Sequence, residues 1–95
     1  MSADFVRYDL GQVAAGATVA VTLRQRANVR LLDAHNYARY QRDEDFRAIG
    51  GKAIKSPVML KVPSAGHWYV ILDLDGGSGP IRSSVRVLKM ARSAA

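Results

Sequence analysis

The sequence predicts an all-β fold, a small antiparallel β-sandwich with one long irregular connection that holds room for a short helix. Three observations lead there. Short apolar stretches alternate with period two, Gly and Pro punctuate them, and only one stretch, between Leu32 and Pro57, breaks the alternation. The chain has 95 residues, 48% hydrophobic and 23% charged. That is the size and composition of one folded unit, read as a single domain over 1–90 with a frayed tail at 91–95.

The elements follow in order. "DFVRYDL" has strand composition and "GQVAAGA" reads as a loop. "TVAVTL" alternates with Val19, Val21 and Leu23 on one face. "RQRAN" is a polar turn, and "VRLLD" is a short strand after it. In "DAHNYARYQRDEDFRAIGGKAIKS" the period of two is lost. Asp33 or Asn36 is placed to cap a short helix in which Ala34, Tyr37 and Tyr40 share a face. Gly50-Gly51 is expected to end regular structure. A connection this long in a small domain is expected to be functional, or a lid packed by its own aromatics. "SPVMLKVP" then puts Val58, Leu60 and Val62 inward and Met59 and Lys61 outward, with Pro57 and Pro63 at its ends.

The stretch "SAGHWYVILDLDGGSGPIRSSVRVL" is read as two strands of one hairpin. Trp68, Val70, Leu72 and Leu74 face the core, and "DGGSGP" makes the turn. Pairing Leu74 with Ile81 sets Asp73 opposite Arg82, Ile71 opposite Ser84 and Tyr69 opposite Arg86 on the outer face, and Trp68 opposite Val87 inside. A hairpin through "PSAGH" would set Val62 opposite Trp68, Lys61 opposite Tyr69 and Met59 opposite Ile71.

Several chemistries are argued away. The absence of Cys removes a disulfide framework and a Cys-based zinc site. His35 and His67 have no metal-ligand spacing between them, so neither metal nor cofactor is expected. Ser64, His67 and Asp73 have the residue types of a triad, but six residues of extended strand separate the last two, about 20 Å. His67 is expected on the rim. "DLDGGSG" lacks the later ligands of a calcium loop, and "GGKAIKS" lacks the Gly and Ser/Thr of a phosphate loop. No residue is therefore assigned as catalytic. The start has no basic segment before an apolar core and no run of about 20 apolar residues occurs, so a cytoplasmic protein without a membrane segment is expected.

What survives is a surface. The formal charge is +6, which suits acidic partners. Lys61, Tyr69, Arg82 and Arg86 are the candidate binding residues on the outer sheet face, with Tyr37, Tyr40 and Lys52 of the long connection as secondary candidates. The expected partner is an acidic protein or a phosphate-bearing ligand. The chain has neither an RNP-like motif nor a basic helix, which argues against nucleic acid. Two alternatives stand beside this reading: a hydrolase using residues 33–57, and a structural subunit that self-associates into a homo-oligomer through Met59 and Ile71.

"RYDLG" at 7–11, "NVRLLD" at 28–33, "GG" at 50–51, "SPVMLKVPSAGHWYVILDLDG" at 56–76 and "IRSSVRV" at 81–87 together resemble the bacterial family called domain of unknown function 1883. The resemblance runs from about Asp4 to Leu88. It implies a small, usually free-standing β-sandwich, sometimes joined to a Toll/interleukin-receptor-like domain in an accessory recognition role. It carries no catalytic residues to this chain.

Overall fold

Alternating side chains bury one face of each strand, so the strands need a second layer to close the core. The computed structural model describes residues 5–53, 55–74 and 82–88. It has seven strands and one helix among them: β1 (Phe5–Val13), β2 (Thr18–Leu23), β3 (Ala27–Asp33), α1 (Ala34–Gln41), β4 (Ile49–Ala53), β5 (Val58–Lys61), β6 (Gly66–Asp73) and β7 (Ser83–Leu88). They form a four-stranded sheet, β1-β6-β3-β4, and a three-stranded sheet, β5-β2-β7. Every pairing is antiparallel. This is the small β-sandwich that the alternation predicts.

The core between the sheets holds the inward sets read from the sequence: Val19, Val21 and Leu23, Leu60 and Val62, and Trp68, Val70 and Leu72. Trp68 is 5% exposed, and its Nε1–H donates to the Ser64 carbonyl at 2.9 Å. A second, smaller cluster lies on the far side of the four-stranded sheet. There α1 lays Tyr37 over Leu32 and Ile71, with Phe5, Tyr40, Phe46 and Tyr69 around them. Asp33 caps the helix by accepting from the Asn36 N–H at 2.9 Å.

Four expectations are corrected. First, β6 and β7 are not a hairpin. β6 pairs with β1 and β3, and β7 pairs with β2 in the other sheet. Asp73–Arg82, Ile71–Ser84 and Tyr69–Arg86 are therefore not neighbours, and Val87 lies opposite Val19 rather than Trp68. Second, β5 pairs with β2 and not with β6, which separates Lys61 from Tyr69 and Met59 from Ile71. Third, Ile71 is fully buried beneath α1, so the Met59–Ile71 association patch does not exist. Fourth, Gly50 and Gly51 lie inside β4. At Gly50, with φ of 107°, a Cβ would run into the Val29 carbonyl oxygen. Glycine is what lets β4 lie against β3 there.

Gly11 does related work in β1. With φ of 69° it carries the shift in the β1–β6 register between Asp9 and Gly11, and its N–H donates to Asp9 Oδ1 at 2.9 Å. The expected turn at 75–80, Ile81 and the tail at 91–95 lie outside the described residues.

Candidate functional site: a basic sheet face and its adjoining end

The four primary candidates are divided between the sheets. Val19 and Val21 face the core, so Thr18, Ala20 and Thr22 face out. Thr18 lies between Lys61 and Leu88, Ala20 between Met59 and Arg86, and Thr22 beside Ser84. Lys61 and Arg86 therefore do share the outer face of the three-stranded sheet. Arg82 lies just before β7, at one end of that sheet. Tyr69 belongs to the other sheet, between Asp9 and Leu32, where it stacks on Tyr37 with ring centroids 4.1 Å apart. Of the secondary candidates, Tyr37 is buried, Tyr40 is half-buried and Lys52 lies in β4 opposite Asn28.

The outer face of the four-stranded sheet holds acids and bases that satisfy one another. Asp73, its side chain 14% exposed, pairs with Arg30 and accepts from Asn28 Nδ2 at 2.8 Å and the Tyr40 hydroxyl at 3.5 Å. Burial, and then the nearby Asp73 charge, raise the Tyr40 hydroxyl above the ordinary tyrosine range. His67 lies at the other end of β6, on the rim as expected. Its Nε2 pairs with Asp9 and its ring stacks on Tyr69 at 4.8 Å. The Gly11 N–H, and then the His67 hydrogen bond, hold the Asp9 carboxyl below the usual range. The Asp9–His67 pair is visible only through the bulged β1–β6 register; no local spacing signals it.

Between α1 and the segment after it runs an open groove of about 410 Å³ lined by His35, Asn36, Arg39, Asp45, Phe46 and Arg47. Its polar groups are largely engaged with one another. Arg39 Nε donates to His35 Nε2 at 3.2 Å, and the Arg47 N–H to Asn36 Oδ1 at 2.8 Å. Among the described residues no group of three or more His, Asp or Glu is placed to hold a metal ion.

The three-stranded sheet is electrostatically different. Between Asp9 and Asp33, between Asp45 and Asp73, and after Asp75 the chain has no Asp or Glu. β2, β5 and β7 all fall within those spans, so this sheet carries cations and no anions. At one end three segments are fastened together. The Leu23 N–H donates to Ser56 Oγ at 2.8 Å, the Arg24 N–H to the Arg82 carbonyl at 3.1 Å, and the Arg82 N–H to Gln25 Oε1 at 3.2 Å. This gathers Arg24, Arg26, Lys55 and Arg82. A shallow cavity of about 300 Å³ is lined by Leu23, Arg24, Gln25, Arg26, Lys55 and Ser56. Among the described residues none of these four cations, nor Lys61 or Arg86, is paired with a carboxylate. Arg24 and Arg26 are missed by a reading that sees "RQRAN" only as a polar turn, and Lys55 by one that stops at the long connection. The Gln25–Arg82 contact joins residues 57 apart in sequence and the Leu23–Ser56 contact residues 33 apart, which alternation within a strand does not reveal.

A match to the family described as "Domain of unknown function (DUF1883)" spans residues 3–91, nearly the whole chain, and the protein belongs to that family. No curated protein and no solved structure matches it.

Proposed function

We propose that this family member is a non-catalytic, cytoplasmic recognition module that takes an acidic protein partner on the outer face of its three-stranded sheet and at the basic end beside it. The observation that carries the reading is the segregation of charge. The cations of this sheet have no carboxylates within it, whereas Asp9, Asp73 and Glu44 on the other side of the molecule are each paired. An unopposed field of one sign steers and holds a partner of the other sign.

A protein is favoured over a nucleic acid by what lies between the cations. Met59 and Leu88 are exposed apolar side chains on the two edge strands of that face, a small apolar contribution that apolar side chains of a protein segment can meet and a phosphate backbone cannot. Three of the four tyrosines, Tyr37, Tyr40 and Tyr69, are gathered around α1 on the far side of the other sheet, away from any base that would stack.

The test is a titration with a labelled peptide of mixed Glu and Val, at low and at physiological salt, with a DNA duplex as competitor. Exposed charges are screened over about 8 Å at physiological salt, so binding should weaken as salt rises. Arg82→Glu with Arg86→Glu should weaken it about tenfold or more, a change of ~1.4 kcal/mol. Arg39→Glu with Arg47→Glu, on the α1 side, makes the same change in net charge and should leave it within about twofold. Equal losses in the two double variants would mean that net charge alone attracts the peptide. Tighter binding of the duplex than of the peptide would make the face a nucleic-acid surface.

A further inference from the structure

We infer that the acidic partner binds as an added strand along the edge of β7 that no described strand pairs, and that the segment it offers alternates acidic and apolar residues. The inference rests on the reading of the basic sheet as an acidic-partner surface and goes further, to the conformation and sequence pattern of the partner.

The argument starts from the ladder between β2 and β7. In an antiparallel pair, directly opposed residues alternate between those that exchange hydrogen bonds and those that turn their backbone groups the other way. Arg24 and Arg82 continue the β2–β7 register, and the Arg24 N–H donates to the Arg82 carbonyl. The pairs Thr22–Ser84, Ala20–Arg86 and Thr18–Leu88 are therefore the hydrogen-bonded ones. The backbone groups of Ser83, Val85 and Val87 point away from the sheet. The Tyr8 hydroxyl bears this out, for it donates to the Ser83 carbonyl at 3.1 Å from the β1 side. Beyond Ser83 the N–H and C=O of Val85 and Val87 have no partner among the described residues.

Such an edge is a template for another strand. The side chains beside it say which one. Across a strand pair, opposed residues project to the same face. A segment laid on β7 thus sets one alternate series beside Arg82, Ser84 and Arg86, and the other beside Val85 and Val87. The first series faces unpaired cations and calls for acidic residues. The second faces the rim of the core, where Val87 is 38% exposed, and calls for apolar residues. Arg82 and Arg86 are four residues apart, about 13 Å along the strand, so a segment of five to seven residues, on the order of one strand length, spans both. A second copy of β7 is a poor occupant, because it would bring the arginines of two edges together, and like charges across a strand pair are destabilising.

The experiment compares two labelled peptides of identical composition, one alternating Glu and Val and one with its glutamates in a single block. A third copies the alternating peptide with N-methyl groups on alternate backbone nitrogens, made in both phases. The protein variants are Val85→Pro, which removes a donor that faces away from the sheet, and Arg82→Glu with Arg86→Glu. The alternating peptide should bind about tenfold more tightly than the blocked one, and one of the two N-methyl phases should lose that advantage. Its binding should slow amide exchange at Val85 and Val87, and Val85→Pro should lose the same advantage while circular dichroism stays unchanged. Because the N-methyl peptides leave the protein untouched, a misfolded Val85→Pro does not decide the matter. If both peptides bind equally, N-methylation has no effect and the arginine double variant still abolishes binding, strand addition is overturned and the acidic-partner reading stands. If the arginine variant binds as the wild type does, both fall. Self-association that protects Val85 and Val87 without any peptide would put a second copy on the edge and overturn the inference.

Discussion

Ile71→Ala separates the structure from the simple alternation of β6. Alternation puts Ile71 outward, where truncation to alanine would change stability by no more than about 0.5 kcal/mol. In the structure Ile71 is 0% exposed, enclosed by Leu32 of β3 and Tyr37 of α1. Truncation removes three carbons from that enclosure. At about 0.8 kcal/mol for each buried methylene the transfer cost is ~2.4 kcal/mol. The helix cannot fully collapse into the gap, because Tyr37 is also held by its stack on Tyr69. A cavity cost therefore adds to it, giving about 3 kcal/mol within the usual range of 2–5 for such changes. The assay is urea denaturation, read as a shift in midpoint at constant slope. Met59→Ala is the control on an exposed strand position, 55% accessible, and should stay within about 0.5 kcal/mol. A loss below about 1 kcal/mol for Ile71→Ala would mean that α1 does not pack on the four-stranded sheet, and the aromatic layer built on it would have to be withdrawn.

Trp68→Ala should cost about 3–5 kcal/mol by denaturation, since the ring is buried and its N–H is bonded to Ser64; Trp68→Phe, which keeps much of the apolar body, should cost less. Gly50→Ala should destabilise by more than the ~1 kcal/mol that separates these residues in ordinary positions, because its Cβ meets the Val29 carbonyl oxygen, and calorimetry would register a lowered Tm. The carboxyl of Asp9 is lowered in the fold by Gly11 and then His67, so its contribution is complete above the ordinary aspartate pKa of about 3.9 and is lost as pH falls from there through the depressed folded value; Asp9→Asn should flatten that part of a urea-midpoint profile taken into acid. The Tyr40 hydroxyl is raised, first by burial and then by Asp73. Its contribution is complete below about pH 10 and lost as pH rises from there through the raised folded value, and Tyr40→Phe should remove that alkaline loss.

The inward sets of the three-stranded sheet were legible because its strands have a period of two and one wet side: Val19, Val21 and Leu23 in β2, and Leu60 and Val62 with the segment of β5. The helix cap was legible to two candidates, Asp33 and Asn36, at the head of the one stretch without that period, and Asp33 is the one that caps. What escaped was pairing. A strand's own alternation does not say which strand lies beside it, and β6 and β7 could be matched in a register with two plausible outer contacts although they belong to different sheets. A signal against that hairpin was nonetheless present. Val70, Ile71 and Leu72 are three apolar residues in succession, and Leu31 and Leu32 are two, all fully buried. Consecutive apolar residues in a strand indicate cover on both faces, and only the stretch from Ala34 onward was available to supply it here. β4 was hidden for a different reason: its glycines serve a close approach between backbones, and a local reading takes two glycines as a stop.

The same residues decide which face is left for a partner. The four-stranded sheet carries Leu32, Tyr69 and Ile71 on its outer side, and α1 covers them. The three-stranded sheet carries Thr18, Ala20, Thr22 and Ser84 through the middle of its outer side, residues small or polar enough to need no helix. Met59 and Leu88 are the large hydrophobics exposed on it, and they lie diagonally, on the rows of Ala20 and Thr18. Two separated side chains make little contiguous apolar area, so a partner held here gains little by burying it. Its affinity must come from charge and, on the strand-addition reading, from the backbone of Val85 and Val87. Charge is weakened by salt and backbone bonding much less so. Raising salt should therefore erode the binding of an acidic segment without abolishing the preference for the alternating over the blocked peptide. Loss of that preference at the same salt that removes binding by the blocked peptide would mean that charge alone had held both.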